Sequence, residues 1–212
     1  DGDTVRITGN IEETGETLVT LAGDKQVTVD LGGNTLTFNG TYESQTVGNG
    51  KAIDVQSGAQ LTLQNGTIQM TGSPYHGIYV REGSSLTMKN MKVTSVDAGV
   101  FSAGSNTTVL LENCTMDTAY SAVYHNGSNA PTDITIRNST LVSDTTGVYI
   151  SNSLREEKQN LTIEGCTITG TTAVEIKHTN AVITDSILIG TVTPTGSGEN
   201  GNGSCTEGYS LA

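Results

Sequence analysis

The sequence predicts an all-β fold, a parallel solenoid of about seven coils with three short strands per coil. Three observations predict it. First, an alternating apolar pair, a turn residue and a further apolar residue recur seven times: VDLGGNTL (29–36), LTLQNGTI (61–68), LTMKNMKV (86–93), VLLENCTM (109–116), ITIRNSTL (134–141), LTIEGCTI (161–168) and AVITDSIL (181–188). Second, a short strand stands ahead of these: AIDV (52–55), GIYV (77–80), GVFS (99–102), AVYH (122–125), GVYI (147–150) and AVEI (173–176). Third, no stretch carries the helical period, and the insertions fall in the connections, as in a repeat that buries its apolar face only against its neighbours. Composition agrees. In 212 residues only 4% are aromatic and Trp is absent, which suits thin layers of small aliphatic side chains better than one central core.

Taken in order, residues 1–26 are expected to form an irregular capping coil, with Val5, Ile7, Ile11, Leu18 and Leu21 covering the open end. Regular coils follow over 27–190. The segment 191–212 is rich in Gly, Ser and Asn and reads as a long loop; its GYSL (208–211) fits the front-strand pattern and predicts the start of one more, incomplete coil. The whole of 1–212 is then a single domain, and an ending in mid-coil suggests that the natural protein continues. The chain starts at Asp1 with no signal peptide, so either a targeting segment has been removed or this is a piece of a larger protein.

The repeat resembles the right-handed parallel β-helix of the pectate-lyase-like superfamily, from about Val27 to Ile189. In that superfamily the tight bend between the second and third strands often carries a stacked asparagine. Here the column reads Gly33, Asn65, Asn90, Asn113, Asn138, Gly165 and Asp185. Gly and Asn tolerate the left-handed backbone of such a bend, and stacked amides can bond along the column. The triplets Asn65-Gly-Thr, Asn113-Cys-Thr and Asn138-Ser-Thr are read as by-products of the bend rather than glycosylation sites, the amides being expected to face inward. The same fold hosts lyases, hydrolases, adhesins and fibres, so the resemblance implies a scaffold more than an activity. It also implies a secreted or cell-surface bacterial protein.

Coils spaced roughly 4.8 Å apart have consequences for the cysteines. Cys114 and Cys166 occupy one column two coils apart with Ser139 between, so their Cα atoms lie ~9–10 Å apart, beyond disulfide reach. They are expected to be small core residues, which leaves Cys205 in the tail as the exposed thiol.

Function must lie on the outer faces, because the interior is packed. Along the front strand, Ile53, Ile78, Val100, Val123, Val148 and Val174 point inward, so alternation puts Asp54, Tyr79, Phe101, Tyr124, Tyr149 and Glu175 outward in one column. Arg81, Asn126 and Lys177 are among the next outward residues, and Tyr75, Asp97 and Tyr120 lie just before the strand. The candidate ligand-binding residues are therefore Tyr75, Tyr79, Arg81, Asp97, Phe101, Tyr120, Tyr124, Asn126 and Tyr149. Rings can stack on pyranose faces while Asp97, Arg81 and Asn126 bond hydroxyls, and the small residue ahead of each ring is expected to admit a ligand to the backbone. The resemblance places the substrate cleft of carbohydrate-active members on this same face. A stabilising ring ladder and a protein interface, including self-association through the face, are the competing readings.

Catalysis is not assigned. Asp54 and Glu175 share a column five coils apart, too far for paired carboxylates. Asp97 and Asp117 come from adjacent coils at different loop positions. The neighbouring aspartates with His-Gly and Arg-x-Lys that mark a polygalacturonase-like enzyme are absent, and Arg81 beside Asp97 is the nearest approach to a lyase, the only case in which Ca²⁺ is expected. Otherwise no cofactor is expected. His76, His125 and His178 lack metal-ligand spacing, and His76 and His125 are read as a strand-end and an inward residue. The REEK run (155–158) is read as a solvated loop tip, and the 39–51 insertion as a wall at one end of the aromatic face. A net charge of −12 excludes nucleic acid and acidic lipid as partners, and no run is long and apolar enough for a membrane helix. The expected partner is a polysaccharide or glycoprotein surface.

Overall fold

The computed structural model describes residues 2–41, 51–72, 76–127, 130–152, 158–177 and 179–190, with the strand segments 202–205 and 209–210. Each strand from Asp3 to Ile189 pairs in parallel with the corresponding strand of an adjacent coil. The front sheet stacks Val19–Leu21, Lys51–Val55, His76–Val80, Ala98–Gly104, Ser121–Gly127, Thr146–Asn152 and Thr172–Lys177, seven parallel rungs separated by six full turns. The second and third strands of each coil form one wrapped sheet, because in Gln60–Gly72 and Ser85–Ser95 the strand runs through the bend unbroken.

Two-residue alternation makes the core. Leu61 and Leu63, Leu86 and Met88, Val109 and Leu111, Ile134 and Ile136, and Leu161 and Ile163 all point inward and are buried. Each fully buried side chain of this size contributes about 1.5–3 kcal/mol. The bend column is as the sequence predicts: Gly33, Asn65, Asn90, Asn113, Asn138, Gly165 and Asp185 all have positive φ. Asn90 Nδ2 donates to Asn65 Oδ1 at 3.0 Å, and Asn113 Nδ2 to Asn90 Oδ1 at 3.3 Å. Asn90, Asn113 and Asn138 are exposed, however, so the amides bond along the surface and do not face inward. The left-handed backbone turns them out of the core.

The first recognised repeat is out of step. Val27, not Val29, pairs with Leu61, while beyond the bend Leu36 pairs with Ile68. Two extra residues are thus held in this bend, and Leu31 from it is buried as an additional core residue.

Cys114 and Cys166 are buried and free, and each backbone amide donates to the hydroxyl of the next coil, Ser139 and Ser186 respectively. Burial pushes both thiols up. Cys205 lies in a strand, Asn202–Cys205, rather than a loop.

Both ends depart from expectation. Residues 3–21 are a regular parallel turn: Asp3–Arg6, Ile11–Gly15 and Val19–Leu21 each pair in parallel with the next coil. What is weak there is burial. Leu21 is buried and Ile7 and Leu18 pack at the margin of the core, but Val5 is 47% exposed. At the other end Asn202–Cys205 pairs antiparallel with Thr172–Lys177, and Tyr209–Ser210 antiparallel with Ile187–Ile189. The tail therefore reverses along the terminal edges instead of opening another coil, and residues 208 and 211 of GYSL lie outside the described residues.

Candidate functional site

The front-strand column is in register. Asp54 pairs with Tyr79, Tyr79 with Phe101, Phe101 with Tyr124, Tyr124 with Tyr149, and Tyr149 with Glu175. Parallel pairing puts each ring one coil from the next, and the rings answer by stacking. Phe101 and Tyr124 centroids are 5.0 Å apart at 9°, Tyr124 and Tyr149 4.5 Å apart at 18°, and Tyr79 and Phe101 5.1 Å apart at 47°. Rings stacked along the solenoid axis cover one another's faces and turn edges and hydroxyls outward. The middle of the column is consequently a ladder, not a row of open platforms. Burial first, then the neighbouring Tyr149 and Tyr120, pushes the Tyr124 phenol up to about 12.

Each end of the ladder carries a cation held by a carboxylate. At one end Arg81 forks onto Asp54 (Nε–Oδ1 2.7 Å, Nη2–Oδ2 3.1 Å), and its guanidinium lies 4.7 Å from the Tyr79 centroid. Lys51 Nζ adds a 3.5 Å contact to Asp54. Asp54 is outward by alternation yet only 2% exposed, because these partners close over it. Burial pushes its carboxyl up, but hydrogen bonds from Arg81 and Gln56 outweigh that and hold it below the ordinary carboxylate range. At the other end Lys177 Nζ reaches Glu175 at 3.2 Å, the Tyr149 hydroxyl at 3.0 Å and the Tyr149 centroid at 5.0 Å.

Beside the middle rungs lies a hollow of about 410 Å³, lined by His76, Asp97, Ala98, Phe101, Tyr120, Tyr124 and Asn126. The loop entering Ala98–Gly104 sets Asp97 at its rim, where Ser95 Oγ accepts from the Asp97 amide (3.2 Å) and Asp97 Oδ1 accepts from the Ala98 amide (2.8 Å). One coil on, the corresponding loop sets Tyr120, which is 49% exposed and tilted 6.0 Å from Tyr124. Asp97 is half-buried with no cation paired to it among the described residues. Burial pushes its carboxyl up to about 6, against a small opposing effect of the Ala98 amide.

The structure brings together Asp97, Phe101, Tyr120, Tyr124 and Asn126 of the predicted residues. Tyr79 and Tyr149 belong to the ladder outside the hollow, and Tyr75 lies outside the described residues. Arg81 is not paired with Asp97; its guanidinium is taken by Asp54 of the preceding rung. Asp117 sits on the third-strand ladder, paired with Thr94, and does not line the hollow. His76 belongs to the site although the sequence reading left it as a strand-end residue. Its ring stacks on Phe101 at 3.7 Å and 14°. Strict alternation would turn it inward with Ile78, yet at the first position of its strand the ring lies against Phe101, and the available signal was a ring next to Gly77.

The small residues ahead of the rings have another cause than ligand access. A Cβ on Gly77 would lie 2.7 Å from the Ala98 and Gly99 carbonyl oxygens; one on Gly99 would lie 2.9 Å from the Ala122 oxygen, and one on Gly147 2.6 Å from that of Ala173. Coil-to-coil packing at this corner excludes them, and all three glycines are buried.

His125 does point inward and is fully buried. Gln159 Oε1 accepts from the Thr132 amide (2.8 Å), so it also accepts at 3.2 Å from His125 Nε2–H, which leaves Nδ1 to accept from Ser102 Oγ at 2.7 Å. Burial pulls the imidazole down to about 4. This Ser-His pair is sealed in the core and has no access to substrate. His178, residues 155–157 of the REEK run and residues 42–50 of the expected wall lie outside the described residues. Among the described residues, no three His, Cys, Asp or Glu side chains group to hold a metal ion, and no helix is long and apolar enough to cross a membrane.

A family model described as "Right handed beta helix region" matches residues 10–191. No curated protein and no solved structure matches the chain.

Proposed function

Because the chain belongs to the right-handed β-helix family, whose scaffold leaves activity to surface residues, we propose that it is a noncatalytic recognition domain of a secreted or cell-surface bacterial protein, adhesin-like in role, that takes a saccharide of a glycan in the hollow beside the ring ladder. The observation that carries this reading is the hollow itself. It joins a half-exposed tyrosine, Tyr120, to a carboxyl and an amide, Asp97 and Asn126, at the scale of a sugar residue. Stacking on a pyranose falls to Tyr120, since the ladder rings already cover one another. Asp97 and Asn126 bond hydroxyls.

Binding is favoured over turnover. Hydrolysis by paired carboxyl groups needs two of them about 5–9.5 Å apart, and Asp97 is the only one lining the hollow among the described residues. Arg81, the residue that the lyase reading takes as base, is committed to Asp54.

A glycan array tests the proposal. Wild type is expected to be retained on a subset of glycans, and Tyr120→Ala to weaken that retention about tenfold, the worth of one ring contact. Absence of binding to every glycan, or binding indifferent to Tyr120, overturns it. Concentration-dependent self-association that Tyr120→Ala abolishes points instead to a contact between copies.

A further inference from the structure

We infer that the saccharide taken in the hollow is neutral, and that the Asp97 carboxylate selects it by accepting from a sugar hydroxyl and repelling sugars that carry their own acid group. The inference rests on the saccharide-binding reading above and adds the chemical class of the ligand.

Asp97 is held differently from its counterparts in later coils. Two residues ahead of the front-strand motif, successive coils carry Asp97, Tyr120, Thr145 and Thr171. The Thr145 and Thr171 hydroxyls donate back to carbonyl oxygens of the preceding coil, those of Tyr120 and Asp144, and so join coil to coil. The Asp97 side chain makes no bond to another coil among the described residues. Its Oδ1 accepts from the adjacent Ala98 amide at 2.8 Å, while Ser95 Oγ accepts from the Asp97 amide and donates to the Ala98 carbonyl, both at 3.2 Å. The turn fixes the carboxyl at the rim of the hollow and leaves Oδ2 without a partner among the described residues. On the next rung the Asn126 side chain lines the same hollow, again with no hydrogen bond to a described residue.

An ionised carboxylate accepts and cannot donate, so Oδ2 calls for a hydroxyl, and such a charge-assisted bond is about twice as strong as a neutral one. An acidic sugar would instead bring a second negative charge to a half-buried one. It would find no cation there to offset it. Arg81 and Lys51 are held by Asp54 and Lys177 by Glu175, and none of the three lines the hollow. His76 does line it, but its ring is buried against Phe101. The net charge of −12 repels acidic sugars before contact. Burial pushes the Asp97 carboxyl up to about 6, and a hydroxyl donating to the ionised form pulls it back down. Affinity for a neutral sugar should therefore fall as pH drops through that value. His76, Tyr120 and Tyr124 are the other titratable groups lining the hollow.

The test uses the whole chain on an array of neutral oligosaccharides, each printed beside the same oligosaccharide with its C6 hydroxymethyl groups oxidised to carboxylates. It is read at pH 8, where Asp97 is ionised and histidine is ordinarily neutral. Each retained neutral member is expected to bind about tenfold or more tighter than its oxidised partner. Asp97→Asn, whose amide oxygen can still accept from the Ala98 amide, should cut that ratio to about threefold or less. Lowering the pH to about 5 should weaken the neutral member on wild type and leave it unchanged on Asp97→Asn.

Oxidised members retained as well as neutral ones, or a ratio that Asp97→Asn leaves intact, overturn the neutral-sugar inference and leave the saccharide site standing. A pH response that persists in Asp97→Asn overturns the part given to Asp97. No retention of either kind overturns both readings.

Discussion

At the scale of the residue, one buried and one half-buried titratable group oppose each other over one pH window. His125 is held near 4, below its ordinary 6.5, so the unfolded chain takes up a proton first as pH falls. Its contribution is fully present above about 6.5 and lost between there and 4, on the order of 3 kcal/mol. Asp97 runs the other way. Its folded value near 6 lies above the ordinary 3.8, so ionising it costs stability, fully above about 6 and not at all below about 4. Because solvent reaches that half-buried carboxyl, the cost is on the order of 1 kcal/mol. The His125 effect therefore wins, and the melting temperature should fall from pH 6.5 to 4. Asp97→Asn should raise the melting point at pH 7.5 and leave it unchanged near pH 4. A His125 ring that titrates by NMR near its ordinary value would refute the first part, and an Asp97→Asn gain that persists at low pH the second. The inward place of His125 was legible from alternation, since it shares parity with Val123. The place of His76 was not, because at the first position of its strand, His76–Val80, parity with Ile78 predicts an inward ring, whereas the ring stacks on Phe101. Nor did the sequence show that Arg81 turns to Asp54, a choice made by side-chain reach across a rung.

At the scale of the element, the ring column behaves as one object. Its register was legible, because parallel strands in repeating coils put equivalent letters side by side. What spacing alone did not reveal is that the rings face one another, a consequence of a rung step close to the thickness of stacked rings. Tyr124 sits between Phe101 and Tyr149 and has lost most of its freedom to serve a ligand with its faces. Tyr124→Ala should therefore cost about 2–3 kcal/mol, two ring contacts plus lost burial. Tyr120→Ala should cost under about 1 kcal/mol. Denaturant unfolding of the two variants checks this; equal costs would mean the ladder contributes nothing of its own. The bend column shows the converse. Residue type predicted its left-handed backbone at every position, yet the direction of the amides follows from the backbone turn and not from the letter.

At the scale of the whole molecule, the repeat alone was enough to read a solenoid from about residue 27 to 190, because six of its seven units agreed in register and the first differed only by two residues held in its bend. The ends were harder. Residues 3–21 make a regular turn without regular burial, so apolar pattern underreports their pairing, and the antiparallel return of 202–205 and 209–210 leaves no repeat to find. Neighbour-only contacts make stability local. Amide hydrogen exchange should be slowest in the middle rungs, such as Ala98–Gly104 and Ser121–Gly127, and fastest in Asp3–Arg6, whose residues are all exposed. Uniform protection from end to end would instead mean that the coils unfold as one unit. The ring ladder has an optical consequence too. The protein has no tryptophan, so its near-ultraviolet signal comes from tyrosine and phenylalanine. Three of its seven tyrosines stand in one chiral stack whose closest centroids are 4.5 Å apart. Their transitions couple, and the resulting circular dichroism band is a built-in gauge of whether the front sheet is in register, readable without any label.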